Sequence, residues 1–286
     1  MPGSSFVLSG LDWLFSTTTI HLLSRAFQLM SSTDFHVDIR GPVAVIRLTR
    51  PAKRNALSDA LILAVRNVFE TLPASVRAAV LDGEGDHFCA GLDLSELTER
   101  DAGAGLHHSR MWHAALERVQ YGPVPVVAAL HGAVVGGGLE LASACHLRVA
   151  DESTFYALPE GSRGIFVGGG GAVRIPRLIG AARMADMMLT GRVYNAQDGE
   201  RIGFAQYLVP AGQSFDKALV LAQRIAENAP LTNYALMHAL PRIAEQPADQ
   251  GFFTEALMAA IAQSAPEAKD RVRAFLEGRA DKVKPT

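Results

Sequence analysis

The stretch His131-Gly132-Ala133-Val134-Val135-Gly136-Gly137-Gly138-Leu139-Glu140-Leu141 determines how the rest of this chain is interpreted. Its three successive glycines precede a run of good helix formers, residues 139–144. A backbone without Cβ atoms can approach a ligand closely, and the first turn of a helix carries unpaired N–H groups and a partial positive charge. Glu140 adds a carboxylate just inside the predicted helix start. The stretch therefore indicates a site where a ligand oxygen gains negative charge beside an acid, which suggests acyl or enolate chemistry.

The composition is that of a chain able to bury one large core. Of its 286 residues, 49% are hydrophobic and 20% charged, which suits one large domain or one domain with a helical appendage. The formal net charge of −2 argues against nucleic acid as a partner. The two cysteines, Cys89 and Cys145, provide neither a disulfide framework nor metal-ligand spacing. We therefore expect a cytoplasmic protein with inert thiols and no bound metal.

The first thirty residues differ from the rest of the chain. Their apolar part, residues 13–30, is interrupted by three threonines, His21 and Arg25, which makes it weak as a membrane span. No basic residue precedes the apolar run, as a secretory signal would require. We predict that residues 1–29 form a poorly structured extension without a functional role, and that the protein does not bind a membrane.

Short strands alternate with helices through about residue 175, and mostly helices follow. The alternating, β-branched residues 35–49 predict a hairpin around Gly41. Further strands are predicted at 78–81, 124–130, 147–150 and 155–158, and helices at 59–72, 103–121 and 139–144. This order predicts an α/β body with an α-helical C-terminal part.

Two further segments are candidates to join the glycine stretch in space. Residues 88–94 (Phe-Cys-Ala-Gly-Leu-Asp-Leu) contain a glycine turn that can present a backbone N–H, and residues 158–161 carry Glu160, twenty positions after Glu140. Two N–H groups from separate loops form an oxyanion hole, and two carboxylates can divide acid and base roles. The spacings of dinucleotide, phosphate-loop, zinc and calcium motifs are absent from the sequence.

Together with residues 50–57 (Arg-Pro-Ala-Lys-Arg-Asn-Ala-Leu), these three segments resemble the crotonase (enoyl-CoA hydratase/isomerase) superfamily in order and spacing. The resemblance extends over roughly residues 35–280. It implies an α/β, crotonase-like spiral of ββα repeats with a C-terminal α-helical trimerisation region. We accordingly expect a core at residues 30–225, a helical region at 226–286, and a homotrimer or a hexamer made from two trimers.

The resemblance also implies a site and a substrate. The substrate would be an acyl-CoA thioester, so coenzyme A belongs to the substrate and no separate cofactor is expected. Its carbonyl oxygen would lie between the backbone N–H groups of Leu92 and Gly137. Glu140 would mainly deprotonate the water that attacks Cβ, and Glu160 would mainly deliver a proton to Cα. The positions implied in coenzyme A binding are Lys53, Arg54, Ala56, Ala90, Asp93 and Leu94.

The chain departs from the family pattern at three positions. Many relatives have Asn where His131 stands and Asp where His146 stands, and we expect these differences to have structural effects only. Val167 replaces a Pro that often precedes the later glycine run, which leaves the identity of the acyl group open. Residues 187–209 show a weaker resemblance to methylthioacryloyl-CoA hydratases.

Hydration of an enoyl-CoA is the function that the resemblance implies, because both acids are retained. Enoyl-CoA isomerisation and thioester hydrolysis would use the same oxyanion hole, and a non-catalytic binding protein is the alternative of another class. Lys53 and Arg54 are equally readable as solvated surface charges. The histidines of the predicted helix at 103–121 are expected in surface or packing roles. Tyr156 and Phe166 are assigned to either the acyl pocket or the core.

Overall fold

A computed structural model describes residues 33–96 and 98–279 of the chain. The predicted extension at residues 1–29 therefore lies outside the described residues. Within them the strands are β1 (Phe35–Arg40), β2 (Val43–Leu48), β3 (Ala78–Gly83), β4 (Val126–Leu130), β5 (Ala133–Val135), β6 (Leu147–Asp151), β7 (Phe155–Ala157), β8 (Tyr194–Asn195) and β9 (Tyr207–Val209).

A six-stranded sheet in the order β1-β2-β3-β4-β6-β9 forms the centre of the fold. The β1–β2 hairpin is antiparallel, and its turn contains Gly41 at a φ of 61°; every other pairing in this sheet is parallel. All residues of β3 and β4 are buried, as expected for central parallel strands that are covered on both faces. A smaller sheet, in the order β5-β7-β8, leads the chain towards the candidate site.

Helices cover both faces of the large sheet, and further helices follow along the described chain as far as Leu276. In chain order the α-helices of the described residues are α1 (Asp59–Thr71), α2 (Ala102–Gln120), α3 (Gly137–Ala144), α4 (Gly171–Ile179), α5 (Ala181–Thr190), α6 (Ala196–Ile202), α7 (Ser214–Ala226), α8 (Pro230–Tyr234), α9 (Leu240–Ile243), α10 (Ala248–Ser264) and α11 (Pro266–Leu276). A π-helical turn, Ala235–Ala239, joins α8 to α9. None of the helices in the described part is long and apolar enough to span a bilayer.

The alternation of side chains along β2 divides the core into two layers. Val43 and Val45 pack towards α7, whereas Ala44 and Ile46 point to the opposite layer, which α1, α2 and α3 help to build. Helix α1 starts where the sequence predicts it, because the Ser58 hydroxyl accepts a hydrogen bond of 3.0 Å from the third helical N–H.

The predicted α/β body with a helical C-terminal part is confirmed, with three local corrections. Helix α3 begins at Gly137, two residues before the predicted start. The region after Arg174 contains the short strands β8 and β9, which are too brief to show periodicity in sequence. The predicted strand at residues 124–130 begins two residues later, at Val126, and residues 88–94 are held by isolated bridges, Cys89 to Val134 and Leu57 to Leu92. The proposed division at residues 225 and 226 falls at the end of α7.

Candidate active site

A cavity of about 350 Å³ opens where the three predicted segments meet. The N-terminus of α3 and the segment around Leu92 form one side of it. The chain after β7 forms the opposite side, and one face of α2 closes the wall between them. The lining residues that the sequence predicted are Ala90, Leu92, Leu94, Gly137, Glu140, Glu160, Phe166 and Val167.

Two backbone N–H groups lie close together at the inner end of this cavity. A Cβ atom on Gly137 would lie 3.5 Å from the Leu92 nitrogen, so the two positions are near neighbours. Leu57 holds the Leu92 segment from behind: its N–H donates to Gly91 O at 2.7 Å and its O accepts from Asp93 N at 2.9 Å. Within the described part of the chain, neither the Leu92 nor the Gly137 N–H has an acceptor. The pair can therefore donate to one external oxygen.

Glycine at position 91 permits this approach. Gly91 has a φ of 98°, in the left-handed region that favours glycine. A Cβ there would lie 2.8 Å from Val135 O and 3.3 Å from the Gly137 nitrogen. A side chain at this position would push the two donor segments apart.

Glu140 is buried in the first turn of α3 and is held through one carboxylate oxygen. Its Oε1 accepts hydrogen bonds from Gly169 N and Gly171 N, both 2.8 Å long. Burial nevertheless raises the pKa of Glu140 to about 7, and the charge of Glu160 adds to the increase. Glu140 therefore changes its charge near neutral pH.

Glu160 is buried beside the same cavity but is bonded differently. A Cβ on Gly136 would lie 2.8 Å from Glu160 Oε1, so the carboxyl group packs against the glycine stretch. The other oxygen, Oε2, is buried without a hydrogen-bond partner among the described residues. Burial raises the pKa of Glu160. An orphaned carboxyl oxygen is costly when charged, so the neutral acid suits this position.

Two residues that the sequence analysis did not identify position the loop that holds Glu140. The Ser109 hydroxyl donates to Gly168 O at 2.6 Å, and Arg174 Nη1 donates to Gly169 O at 2.9 Å. Both bonds fix the loop whose N–H groups bind Glu140. No motif marks Ser109 or Arg174 as functional, because each acts through a backbone carbonyl, which any residue type could provide.

Helix α2 contributes more to the site than predicted. Four of its positions, 105, 108, 109 and 112, line the cavity at helical spacing. Asp59 anchors this wall, since its Oδ1 accepts a 2.9 Å bond from Trp112 Nε1 and lies 2.7 Å from His108 Nε2. The expectation of a surface or packing role for His108 therefore missed part of its position, because His108 also lines the cavity. The helical spacing is the signal that could have identified this face.

Two of the residues expected to bind coenzyme A, Lys53 and Asp93, belong to an ion-pair cluster centred on the buried Asp93 carboxylate. Asp93 Oδ2 lies 2.8 Å from both Lys53 Nζ and Arg50 Nη2, and its Oδ1 accepts a 2.6 Å bond from the Ser95 hydroxyl. The bond from Lys53, followed by those from Ser95 and Arg50, lowers the pKa of Asp93 well below its usual range. Asp93 thus ties the Lys53 loop to the Leu92 segment.

The other predicted coenzyme A positions divide between the cavity wall and its surroundings. Ala90 and Leu94 line the cavity, and Leu94 is half exposed at its edge. Lys53, Arg54 and Ala56 lie outside the wall, on the loop that Asp93 anchors. Ala90 N donates to Arg54 O at 2.9 Å, so that loop contacts the cavity segment directly.

The structure distinguishes between two aromatic residues that the sequence left ambiguous. Tyr156 is fully buried and stacks on Phe204 at a centroid distance of 4.6 Å, which places it in the core. Phe166 lies in the cavity wall with 69% of its surface exposed. Val167, the departure that leaves the identity of the acyl group open, also lines the cavity.

His146, one of the departures from the family pattern, has a structural role. Its Nδ1 accepts a bond from Val126 N and its Nε2 donates to Gln120 O, each 3.0 Å long. Burial lowers the pKa of His146 to about 4. The side chain is therefore neutral at physiological pH and links β4 to the end of α2.

Comparisons with known proteins match this chain to one family. The family model described as enoyl-CoA hydratase/isomerase matches residues 38–284. The enoyl-CoA hydratase EchA19 of Mycobacterium tuberculosis is 30% identical over 87% of this chain and 96% of its own length. The 2,3-dehydroadipyl-CoA hydratase of Escherichia coli is 32% identical over 83% of this chain and 93% of its own length. A Rhodopseudomonas palustris structure described as an enoyl-CoA hydratase is 60% identical in sequence and has a TM-score of 0.85. The match covers 86% of this chain and 96% of that structure's chain.

Proposed function

Because this chain belongs to the enoyl-CoA hydratase/isomerase family, also called the crotonase superfamily, we propose that it adds water reversibly across the Cα=Cβ bond of a 2,3-unsaturated acyl-CoA. Its relatives are named hydratases, so the chain is an enzyme of the hydro-lyase type. The crotonase-like α/β fold predicted from the sequence is confirmed by its solved neighbours. One observation carries the finer proposal: two buried acids with unequal hydrogen bonding face the cavity that holds two unpaired N–H groups.

The oxyanion pair stabilises the charge that develops when water adds. The thioester oxygen accepts hydrogen bonds from the N–H groups of Leu92 and Gly137, and the dipole of α3 adds a partial positive charge there. As the oxygen of water bonds to Cβ, the electrons of the double bond move into the thioester and form an enolate. The two donors bind this enolate oxygen more strongly than the neutral carbonyl oxygen.

The two acids divide the proton transfers. Glu140, whose ionised carboxylate is stabilised by two N–H donors, accepts a proton from the water. Glu160, whose orphaned oxygen favours the neutral form, donates its proton to Cα. The product is a 3-hydroxyacyl-CoA, and one proton passes between the acids and solvent to reset the site.

The proposal also covers how coenzyme A is bound, the oligomeric state and the cellular compartment. The loop that carries Lys53, Arg54 and Ala56 would contact the nucleotide of coenzyme A, while Ala90 and Leu94 would border the pantetheine, with Asp93 holding the loops together. Homotrimers or hexamers would form through the helical region after residue 225. We place the enzyme in the cytoplasm, where its two buried thiols, Cys89 and Cys145, stay reduced.

A spectrophotometric assay tests the reaction. The panel contains crotonyl-CoA, branched and sulfur-bearing enoyl-CoAs, and 2,3-dehydroadipyl-CoA, which the name of one relative suggests. Hydration removes the absorbance of the conjugated thioester without releasing a thiol. Thiol release would instead identify hydrolysis, and a shifted double bond would identify isomerisation.

Substitution of either acid tests the mechanism. We expect Glu140→Gln and Glu160→Gln each to lower kcat by about 10²- to 10⁴-fold, since each removes one proton transfer. The matched control is Glu200→Gln, an exposed acid on α6, which should retain the wild-type rate. Unchanged rates in both active-site variants would disprove the mechanism.

A further inference from the structure

A second cavity, of about 220 Å³, lies between the C-terminal end of α3 and α4. Its wall contains Arg148, Arg174 and Arg177. No Asp or Glu side chain lines it within the part of the chain that the structure describes. Its volume is several times the ~30 Å³ that one water molecule occupies in the liquid.

Arg148 is a buried cation without a carboxylate partner. It is 3% exposed, and its Nε donates to Phe204 O while Nη1 donates to the carbonyls of Ala142 and Cys145. These bonds cap the end of α3, but Nη2 has no partner among the described residues. A buried guanidinium that is paired only with neutral carbonyls leaves most of its charge uncompensated.

Arg174 adds a second buried cation to the same wall. It is 7% exposed, and its Nε donates to Gln120 Oε1 at 2.7 Å. Glu140 and Glu117 act on its charge, but neither lines this cavity. Arg177, the third arginine, is already paired with Glu245 at 2.5 Å.

The neutral His146 lines the same cavity as these cations. It stands two residues before Arg148, directly before the first residue of β6. Burial and the neighbouring Arg148 both disfavour its charged form. A carboxylate at this position would neutralise the pocket, whereas the imidazole leaves it positive.

We propose that this cavity is a binding site for a small oxyanion, with phosphate or a carboxylate as the ligand class. Arg148 and Arg174, which both line the cavity, bind the anion through their guanidinium groups, since these groups match the geometry of such oxygens. The site is separate from the catalytic cavity. It is connected to it through Arg174, which also holds the Gly169 carbonyl of the loop that binds Glu140.

Titration calorimetry of the full chain with inorganic phosphate, at an ionic strength held constant with chloride, tests the proposal. The wild type should bind one phosphate per subunit at this site. His146→Asp should weaken that binding by about tenfold or more, because the new carboxylate repels the anion. His146→Asn, its neutral counterpart of the same shape, should retain binding.

The two variants at residue 146 distinguish phosphate binding in this cavity from phosphate binding elsewhere on the protein. Phosphate bound at the coenzyme A loop would be insensitive to the charge at residue 146, so equal affinity in the two variants overturns the proposal. Absence of phosphate binding in the wild type also overturns it, including the case in which a carboxylate of a second copy fills the cavity. Circular dichroism of both variants verifies folding, and Arg148→Lys, which keeps the charge but loses the fork of donors, should weaken binding without abolishing it.

Discussion

At the scale of single residues, the two glutamates of the site differ in what their oxygens contact. Glu140 Oε1 accepts two N–H bonds, whereas Glu160 Oε2 accepts none among the described residues. Burial raises the pKa of both acids, but the two N–H donors stabilise only the charged form of Glu140. This asymmetry supports the assignment of base and acid, which in the sequence rested on the family resemblance alone.

The raised pKa of Glu140 makes the stability of the protein depend on pH. The folded protein binds this proton with a pKa of about 7, against 4.5 for the ordinary value in an unfolded chain. The native state therefore holds the proton more tightly, and the free energy of unfolding decreases as the pH rises from 4.5 through 7. The full penalty, about 3 kcal/mol, applies above that range.

Glu140→Gln removes this penalty while keeping an oxygen for the two N–H donors. We compare the free energy of unfolding of the variant with that of the wild type at each pH. The difference, variant minus wild type, should be about 1 to 3 kcal/mol larger at pH 8 than at pH 5. Urea unfolding at both pH values measures this gain. The exposed control Glu200→Gln should show no such pH dependence, and an equal difference at both pH values for Glu140→Gln would contradict the argument.

At the scale of elements, the glycine run at the start of α4, residues 168–171, positions the Glu140 carboxylate through two backbone N–H groups. A Cβ on Gly171 would lie 2.8 Å from Glu140 Cγ and 2.9 Å from its Oε1. A Cβ on Gly168 would meet only the Ser109 hydroxyl, at 3.6 Å, which is an ordinary contact. Two glycines in the same run therefore have different tolerances, although the sequence presents them as equivalent.

Gly171→Ala should displace the Glu140 carboxyl group and lower kcat by about 10²-fold, the effect typical of a catalytic group moved by about 1 Å. Gly168→Ala, in the same loop, should have a much smaller effect. Steady-state kinetics of the two variants with the best substrate of the panel measure the difference. Similar losses in both would mean that the loop responds to any added volume and does not specifically hold Glu140.

At the scale of the whole molecule, the two C-terminal helices, α10 and α11, expose apolar side chains that no other part of the described chain covers. Helix α10 has seventeen residues and buries only Gly251. Phe252 and Phe253 are 71% and 66% exposed, and α11 exposes further apolar side chains, Val272, Phe275 and Leu276. Apolar faces of this extent mark contact surfaces in soluble proteins. We propose that other copies of the chain cover them.

Phe253→Glu should weaken that self-association. For the wild type we expect a solution mass of three or six times the 30.6 kDa of one chain. The variant should have a lower mass at the same concentration, because burying a carboxylate in an apolar contact is unfavourable. Light scattering coupled to size exclusion measures both masses. Leu63→Glu, on the exposed face of α1, is the control and should assemble normally; a monomeric wild type would refute the proposal.

The sequence by itself determined the α/β order and the family, because local propensities and a family pattern of four segments encode them, and it predicted the two acids of the site. The tertiary structure alone decided that α2 supplies one cavity wall, that Ser109 and Arg174 hold the loop around Glu140, and that Asp93 ties two loops together. It also left Arg148 and Arg174 without a carboxylate in their cavity. These features depend on contacts between residues far apart in the chain, and on burial, which determines whether a charge is stable.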